Sequence, residues 1–141
     1  MKRTLLIALA VVALIALALL FRSYQLSGFA KNGQAGNAIV SVNVPVLSEE
    51  VREGEALFNA TCAKCHGKNA AGREGLAPPL VHLIYEPNHH PDQSFHMAAQ
   101  SGVRQHHWPF GNMPPVPDVT REDVQKIIDY VRSLQKANGI F

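Results

Sequence analysis

The chain has 141 residues, of which 47% are hydrophobic, and a formal net charge of +2. This length accommodates one ordinary domain and an appendage but not two domains. Three of the 13 Lys and Arg residues (Lys2, Arg3 and Arg22) flank an N-terminal apolar run, so the rest of the chain is nearly balanced in charge. Such a balance gives no sign of the basic face that nucleic-acid binding requires, and we expect no nucleic-acid partner.

The apolar run from Leu5 to Phe21 predicts a single membrane-spanning helix over residues 1–22. At 1.5 Å per residue it reaches about 26 Å, close to the roughly 30 Å hydrocarbon core of a bilayer. A cleaved secretory signal is the alternative, with a near match to a cleavage site at residues 28–30 (Gly-Phe-Ala). We favour the uncleaved anchor. The positive charges ahead of it predict that the remainder lies on the outer, periplasmic face of a bacterial cytoplasmic membrane.

Residues 23–47 are predicted to link this anchor to the domain. Their first part is rich in Gly, Asn, Ser and Gln, which is typical of a flexible tether. Valines then alternate with other residues over 40–46, but Pro45 cannot donate to a β-ladder. We therefore expect an extended strap lying on the domain rather than a strand.

A helix is predicted to begin at Ser48, the first residue of a domain that we place at 48–141. Ser48 is a suitable N-cap, and acidic residues follow it in the first turn. Gly54 lies inside this helix, where glycine costs up to about 1 kcal/mol relative to alanine. The close approach of another helix would explain it. The apolar face comprises Val51, Gly54, Leu57 and Phe58.

The two cysteines of the chain fall in the run Cys62-Ala63-Lys64-Cys65-His66. This CxxCH pattern predicts covalent attachment of one haem c, with both thiols bonded to the porphyrin and His66 as an axial ligand of the iron. A dithiol redox pair would need a βαβ context that the sequence lacks. A zinc site would need two more ligands at paired spacing, and no second cysteine pair exists.

The remaining elements are short until the C-terminus. Residues 67–80 are dense in Gly and Pro and predict a loop. Asp92 is predicted to cap a short helix that ends at Gly102, and the four prolines of residues 106–117 exclude regular structure there. Thr120 and Asp123 predict a capping box at the start of a last amphipathic helix. Its apolar stripe comprises Val124, Ile127, Ile128, Val131 and Leu134.

A helix running into CxxCH, a proline-rich loop, a Met-Pro turn and a C-terminal amphipathic helix together resemble the class I c-type cytochromes. The resemblance covers residues 48–141 and implies an all-α fold around the haem. It also implies that the first and last helices cross where Gly54 and Phe58 meet Tyr130. In this family a proline carbonyl accepts a hydrogen bond from the proximal imidazole. Here either Pro78 or Pro79 could supply it.

The sixth iron ligand must come from elsewhere, and the candidates are Met97, Met113 and the other histidines. Met97 lies on a predicted helix, where methionine more often fills the core. Met113 lies in a stiff loop over residues 111–115 that could present its thioether to iron, and it matches the family's Met-Pro turn. We therefore predict His66 and Met113 as the two axial ligands.

Six histidines lie between residues 82 and 107. They could form a copper or zinc site beside the haem, because imidazole is the commonest metal ligand. We favour ordinary loop and surface positions, since adjacent histidines rarely aim both rings at one metal. Trp108 is expected to pack against the haem or to donate its indole N–H to a propionate. The histidines are His82, His89, His90, His96, His106 and His107.

These features predict a membrane-tethered mono-haem cytochrome that carries single electrons and is not an enzyme. A closed six-coordinate iron leaves no position for a substrate. The resemblance implies a quinol-oxidising complex as electron donor and an oxidase or reductase as acceptor. Two alternatives remain open: a haem enzyme or gas sensor with a labile sixth ligand, and a copper-handling protein that uses the histidine-rich segment.

Overall fold

Four α-helices carry the fold of residues 36–141, which with residues 15–18 are the part of the chain that the computed structural model describes. Isolated bridges pair Arg73 with Ala77 and Val103 with Met113, and the described residues contain no β-strand. The prediction of an all-α domain is confirmed over this range. The helices are α1 (Glu49–Thr61), α2 (Ala63–His66), α3 (Asp92–Ser101) and α4 (Arg121–Ala137), with 3₁₀ turns at Lys68–Ala70 and Leu83–Tyr85.

The predicted anchor over residues 1–22 lies outside the described residues, except for an exposed helical segment at 15–18. Within 15–18 and 36–141, no helix combines the length and the apolar character needed to cross a membrane. Residues 36–141 make up one compact unit.

Helices α1 and α4 cross at Gly54, which is buried. A Cβ atom at this position would collide with the Lys126 carbonyl and lie 3.1 Å from Cβ of Tyr130. One turn further on, the fully buried rings of Phe58 and Tyr130 have centroids 5.5 Å apart. The expected glycine–aromatic crossing is therefore confirmed, and it accounts for a glycine in the middle of a helix.

We predict that Gly54→Ala lowers the stability of the domain by roughly 1–3 kcal/mol, although alanine is the better helix former. The added methyl group would force the backbones of α1 and α4 apart, because the atom that it meets is a carbonyl oxygen of α4. Thermal unfolding of the haem-loaded protein measures the effect. Asn59→Ala, on an exposed position of the same helix, should be neutral or slightly stabilising. A Gly54→Ala midpoint as high as that of Asn59→Ala would contradict the crossing.

Helix α4 begins at the predicted capping box. The Asp123 backbone N–H donates to Oγ1 of Thr120 at 3.1 Å, and the Thr120 N–H donates to Oδ2 of Asp123 at 2.9 Å. The Thr120 hydroxyl also donates to Oδ2 of Asp123 at 2.7 Å, and this bond, with that from the Thr120 N–H, holds the pKa of the Asp123 carboxyl below its usual value. All five residues of the predicted apolar stripe are buried.

The prediction that Asp92 caps α3 is wrong, because the N-cap is Pro91 and Asp92 is the first helical residue. Its carboxylate instead accepts a hydrogen bond from Nε of Arg132 at 2.9 Å. This ion pair fastens the start of α3 to α4. Ser48 is the N-cap of α1 as predicted, but its side chain makes no capping hydrogen bond. Gly102 ends α3 as predicted.

Residues 40–46 form no strand and lie against the end of α4. The backbone of Asn43 exchanges two hydrogen bonds with the side chain of Asn138, at 2.9 Å and 2.8 Å. The N–H groups of Ile39 and Val40 both donate to the Ala71 carbonyl at 3.1 Å. These hydrogen bonds hold the expected strap against the domain and join it to the loop that follows the CxxCH run.

Candidate haem site

The CxxCH run lies where α1 ends and α2 begins, with Cys62 between the two helices. The N–H groups of Cys65 and His66 both donate to the Cys62 carbonyl, at 3.1 Å and 2.9 Å. This tight turn brings Cys62, Cys65 and His66 to the wall of one cavity of about 650 Å³. Cys65 is exposed at its edge, whereas His66 is buried.

A single hydrogen bond fixes the His66 ring. Its Nδ1–H donates to the Pro78 carbonyl at 2.9 Å, which leaves Nε2 as the nitrogen available to a metal. Pro78, and not Pro79, is therefore the proline that orients the proximal imidazole. Burial lowers the pKa of His66, and the bond to Pro78 only partly opposes this, so the ring is held neutral. A neutral imidazole with its other N–H engaged is the form that binds iron.

Met113 lines the same cavity as the CxxCH residues. Its backbone N–H and carbonyl each pair with Val103 at 2.9 Å, which holds an otherwise irregular loop in place. Gly102 packs so closely on this loop that a Cβ atom there would lie 2.5 Å from the Met113 carbonyl. The structure thus brings together all four predicted site residues.

The helical position of Met97 suggested that its side chain fills the core, but it does not. It is 58% exposed on α3 and also lines the cavity. The apolar face of α3 is carried instead by Phe95, which packs against the core. The guanidinium of Arg132 lies over the Phe95 ring, 5.0 Å from its centroid.

Trp108 supplies a buried polar atom in the cavity wall. Its Nε1–H has no hydrogen-bond partner among the described residues, although its indole is stacked on Phe110 with ring centroids 5.8 Å apart. Buried donors are nearly always satisfied, so an unpartnered one in a cavity points to an acceptor on a bound group. Burial raises the pKa of the neighbouring Tyr85 to about 12, with the nearby Trp108 side chain acting in the opposite direction, so the Tyr85 hydroxyl stays protonated.

These wall residues fit a covalently bound haem. The cavity is lined mainly by apolar side chains, and it offers two thiols, a fixed imidazole and an unpartnered donor for a carboxylate. Cys62 and Cys65 stand at the positions required for attachment. Burial raises the pKa of the Cys62 thiol, with a hydrogen bond to Thr61 acting in the opposite direction.

Residues 51–135 match the family described as Cytochrome c. The chain belongs to this family. As a class I c-type cytochrome it holds one haem c, covalently bound and containing iron, and haem-based electron transfer is the activity that the membership indicates.

A curated relative of this cytochrome is the "Cbb3-type cytochrome c oxidase subunit FixP" of Sinorhizobium medicae (strain WSM419), 33% identical over 123 residues. The alignment covers 77% of this chain but only 41% of the relative. The cytochrome therefore spans less than half the length of that relative. No solved structure matches the chain.

Five of the six histidines between residues 82 and 107 divide into two groups. His82 and His96 have ordinary structural contacts: Nδ1 of His82 accepts the Ile84 N–H at 3.2 Å, and the buried His96 lies 3.1 Å from the amide oxygen of Gln125. By contrast, ring nitrogens of His89, His90 and His107 all lie within 4.8 Å of one another. The sequence indicated a copper or zinc site here only as the less favoured alternative, because two of these histidines are adjacent in the chain.

Proposed function

We propose that this cytochrome is a one-electron carrier whose haem iron has His66 and Met113 as axial ligands. The observation that supports it is the single cavity onto which Cys62, Cys65, His66 and Met113 all open. His66 reaches the cavity from the CxxCH turn, and Met113 reaches it from the loop after α3. Two ligands on separate chain segments suit the two faces of one flat cofactor.

Met113 is a better sixth ligand than Met97 because of how each is held. Met113 is half-buried, and two backbone hydrogen bonds to Val103 and two following prolines restrict its loop. Met97 is mostly exposed on a helix. A ligand that stays bound in both oxidation states keeps the reorganisation on electron transfer small. The hydrogen bonds that restrict this loop therefore favour Met113 over Met97 as the sixth ligand of the iron.

Bound haem iron supplies a one-electron couple, and the protein sets its potential through the axial ligands and the burial of the site. His66 and Met113 together would occupy both axial positions and leave none for a substrate, so we propose a carrier and not an enzyme. Thioether ligation favours the reduced state and raises the potential. The exposed Cys65 places one edge of the site at the surface, where a redox partner could approach.

We further propose that residues 1–22 anchor the domain to the outer face of a bacterial cytoplasmic membrane and that residues 23–47 link this anchor to the domain. The donor would be a quinol-oxidising complex and the acceptor a terminal oxidase or a reductase. The likeness to a protein named as an oxidase subunit supports the oxidase among these acceptors.

Membrane fractions of cells that produce the full chain test the tether. We expect the cytochrome to sediment with membranes, to resist high salt and to be released by detergent, because an apolar helix is held by burial rather than by charge. Ala13→Asp should reduce the membrane-bound haem protein, since a charge at the centre of a span costs about 3 kcal/mol on insertion.

Gly33→Asp, which adds the same charge outside the apolar run, is the matched control and should change nothing. N-terminal sequencing of the purified protein tests whether the apolar segment is retained or cleaved. A mature chain that begins near residue 31 would show a cleaved signal and rule out the anchor.

A further inference from the structure

Two loops at the rim of the haem cavity bring three imidazoles together. His89 and His90 lie in the turn before α3, and His107 lies in the loop between α3 and α4. Nε2 of His89 is 3.3 Å from Nε2 of His107, and the His90 ring is 4.7 Å from that of His89 and 5.3 Å from that of His107, between centroids. His89 and His107 are exposed, so the cluster is open to solvent.

These separations suit a tetrahedral metal. Two nitrogens that are each about 2.0–2.1 Å from a tetrahedral Zn²⁺ lie about 3.3–3.4 Å apart. That is the separation of the two Nε2 atoms of His89 and His107. Three imidazoles and one open position make a ligand set that zinc commonly takes in proteins.

A backbone hydrogen bond orients the His90 ring and leaves its second nitrogen available to a metal. Its Nδ1–H donates to the Ile84 carbonyl at 2.5 Å, which leaves Nε2 with its lone pair free. In metal-binding histidines, the ring nitrogen that does not bind the metal almost always donates its N–H to an acceptor such as a backbone carbonyl. This bond fixes the orientation of the ring and its tautomer. His90 is therefore oriented as a ligand before any metal binds.

The turn that carries His89 and His90 is rigidly held. The N–H groups of both residues donate to the Glu86 carbonyl, at 3.0 Å and 2.8 Å, which sets the two rings side by side. Arg132 of α4 then fastens the turn by donating to the carbonyls of Tyr85 at 2.8 Å and His90 at 2.5 Å. Its positive charge is paired with Asp92.

The loop that carries His107 is also braced. The Gln105 N–H donates to Oδ1 of Asn112 at 3.0 Å, and the Gly111 N–H donates to Oε1 of Gln105 at 2.8 Å. With the Val103–Met113 pairing at its base, the loop is closed by its own hydrogen bonds. Neither loop needs the metal in order to hold its histidines in place.

We propose that His89, His90 and His107 form a binding site for a divalent late transition metal, Zn²⁺ or Cu²⁺, separate from the haem iron. Three nitrogen donors without a carboxylate favour these borderline cations over Mg²⁺ and Ca²⁺, which prefer oxygen. Among divalent ions Cu²⁺ binds nitrogen sites more tightly than Zn²⁺. The metal would join the turn before α3 to the loop that leads to Met113.

Titration of the tag-free, haem-loaded protein with Zn²⁺ alone and with Cu²⁺ alone tests the site. Calorimetry should show one ion per chain, tighter binding of Cu²⁺ than of Zn²⁺, and no binding of Mg²⁺. The Cu²⁺ form should show imidazole nitrogen couplings in its electron paramagnetic resonance spectrum. His89→Gln and His107→Gln remove exposed ligands and should each weaken Zn²⁺ binding by at least about 100-fold, the upper end of the loss caused by an outer-shell change alone.

His106→Gln is the matched control. This histidine is exposed and adjoins His107, with ring centroids 4.3 Å apart, but its ring nitrogens do not belong to the group of three that lie within 4.8 Å of one another. Its replacement should leave Zn²⁺ affinity within a few-fold. An equal loss in His106→Gln, unchanged binding in His107→Gln, or indistinguishable titrations with Zn²⁺ and Mg²⁺ would each overturn the proposal. His89 does not line the haem cavity, so the loss of Zn²⁺ binding in His89→Gln can be distinguished from a change of the sixth iron ligand.

Discussion

Replacing both Cys62 and Cys65 with alanine is expected to eliminate haem from the denatured polypeptide. The two thiols are the chain's only groups that can form thioether bonds to the porphyrin, and both open onto the cavity. After acid-acetone extraction and denaturing electrophoresis, the wild-type band should stain for haem and the double variant should not. Each single variant retains one possible bond and should give a weaker band.

Loss of the haem should also destabilise the fold. A cavity of about 650 Å³ inside a unit of this size cannot be filled by small shifts of its walls. We therefore expect the double variant to accumulate poorly and to be degraded. Ala60→Ser, an exposed change on the same helix, controls for substitution near the motif. Haem that stays with the double variant under denaturing conditions would disprove covalent attachment.

The sequence was most informative where one residue type has few physical uses. A glycine within a helical pattern indicated a close helix crossing, and Lys126 and Tyr130 do lie against Gly54. The capping box of α4 was equally plain, because Thr120 and Asp123 satisfy each other's backbone groups within one turn. Both inferences depend on local geometry that the sequence spacing determines.

Features that depend on the path of a loop could not be predicted from the spacing of residues in the sequence. The choice between Pro78 and Pro79 rests on which carbonyl faces His66, and two adjacent prolines are equivalent in a sequence pattern. Met97 looked like a core residue because its neighbours are apolar. Its place on α3 turns it outward instead, while Phe95 packs inward.

The histidine cluster also depends on the paths of loops, which the sequence spacing does not determine. His89 and His107 are 18 residues apart, and only the fold of two loops brings them to 3.3 Å. The adjacent pair looked unsuitable for a shared metal because consecutive residues of regular structure point in different directions. In the turn before α3, however, both backbone N–H groups bond to the Glu86 carbonyl, and the two rings lie together.

Replacement of Met113 should have the largest effect on the redox chemistry of the cytochrome. With Met113 bound, the ferric protein should show the weak far-red charge-transfer band of sulfur-to-iron ligation. Met113→His should abolish that band and lower the midpoint potential, because imidazole favours ferric iron more than a thioether does. Axial ligands span a range of about 0.8 V, so the shift should be easily measured.

Met97→Leu is the control for this change, since Met97 lines the same cavity but is mostly exposed. It should keep both the band and the potential. The cavity wall also contains His106 and His107, and these two test the ligand in the other direction. If the wild-type protein lacks the band and replacing either histidine alters the low-spin spectrum, the iron has two imidazole ligands and Met113 is not the sixth.

Binding of carbon monoxide separates a carrier from an enzyme or a sensor. A thioether held by the pairing of Met113 with Val103 should exclude the gas from ferrous wild-type protein at neutral pH. Met113→Ala should admit it, because alanine leaves the sixth position open while the backbone pairing remains. Rapid binding to the wild type would mean that this position is labile, and a haem enzyme or gas sensor would then account for the cavity better than electron transfer.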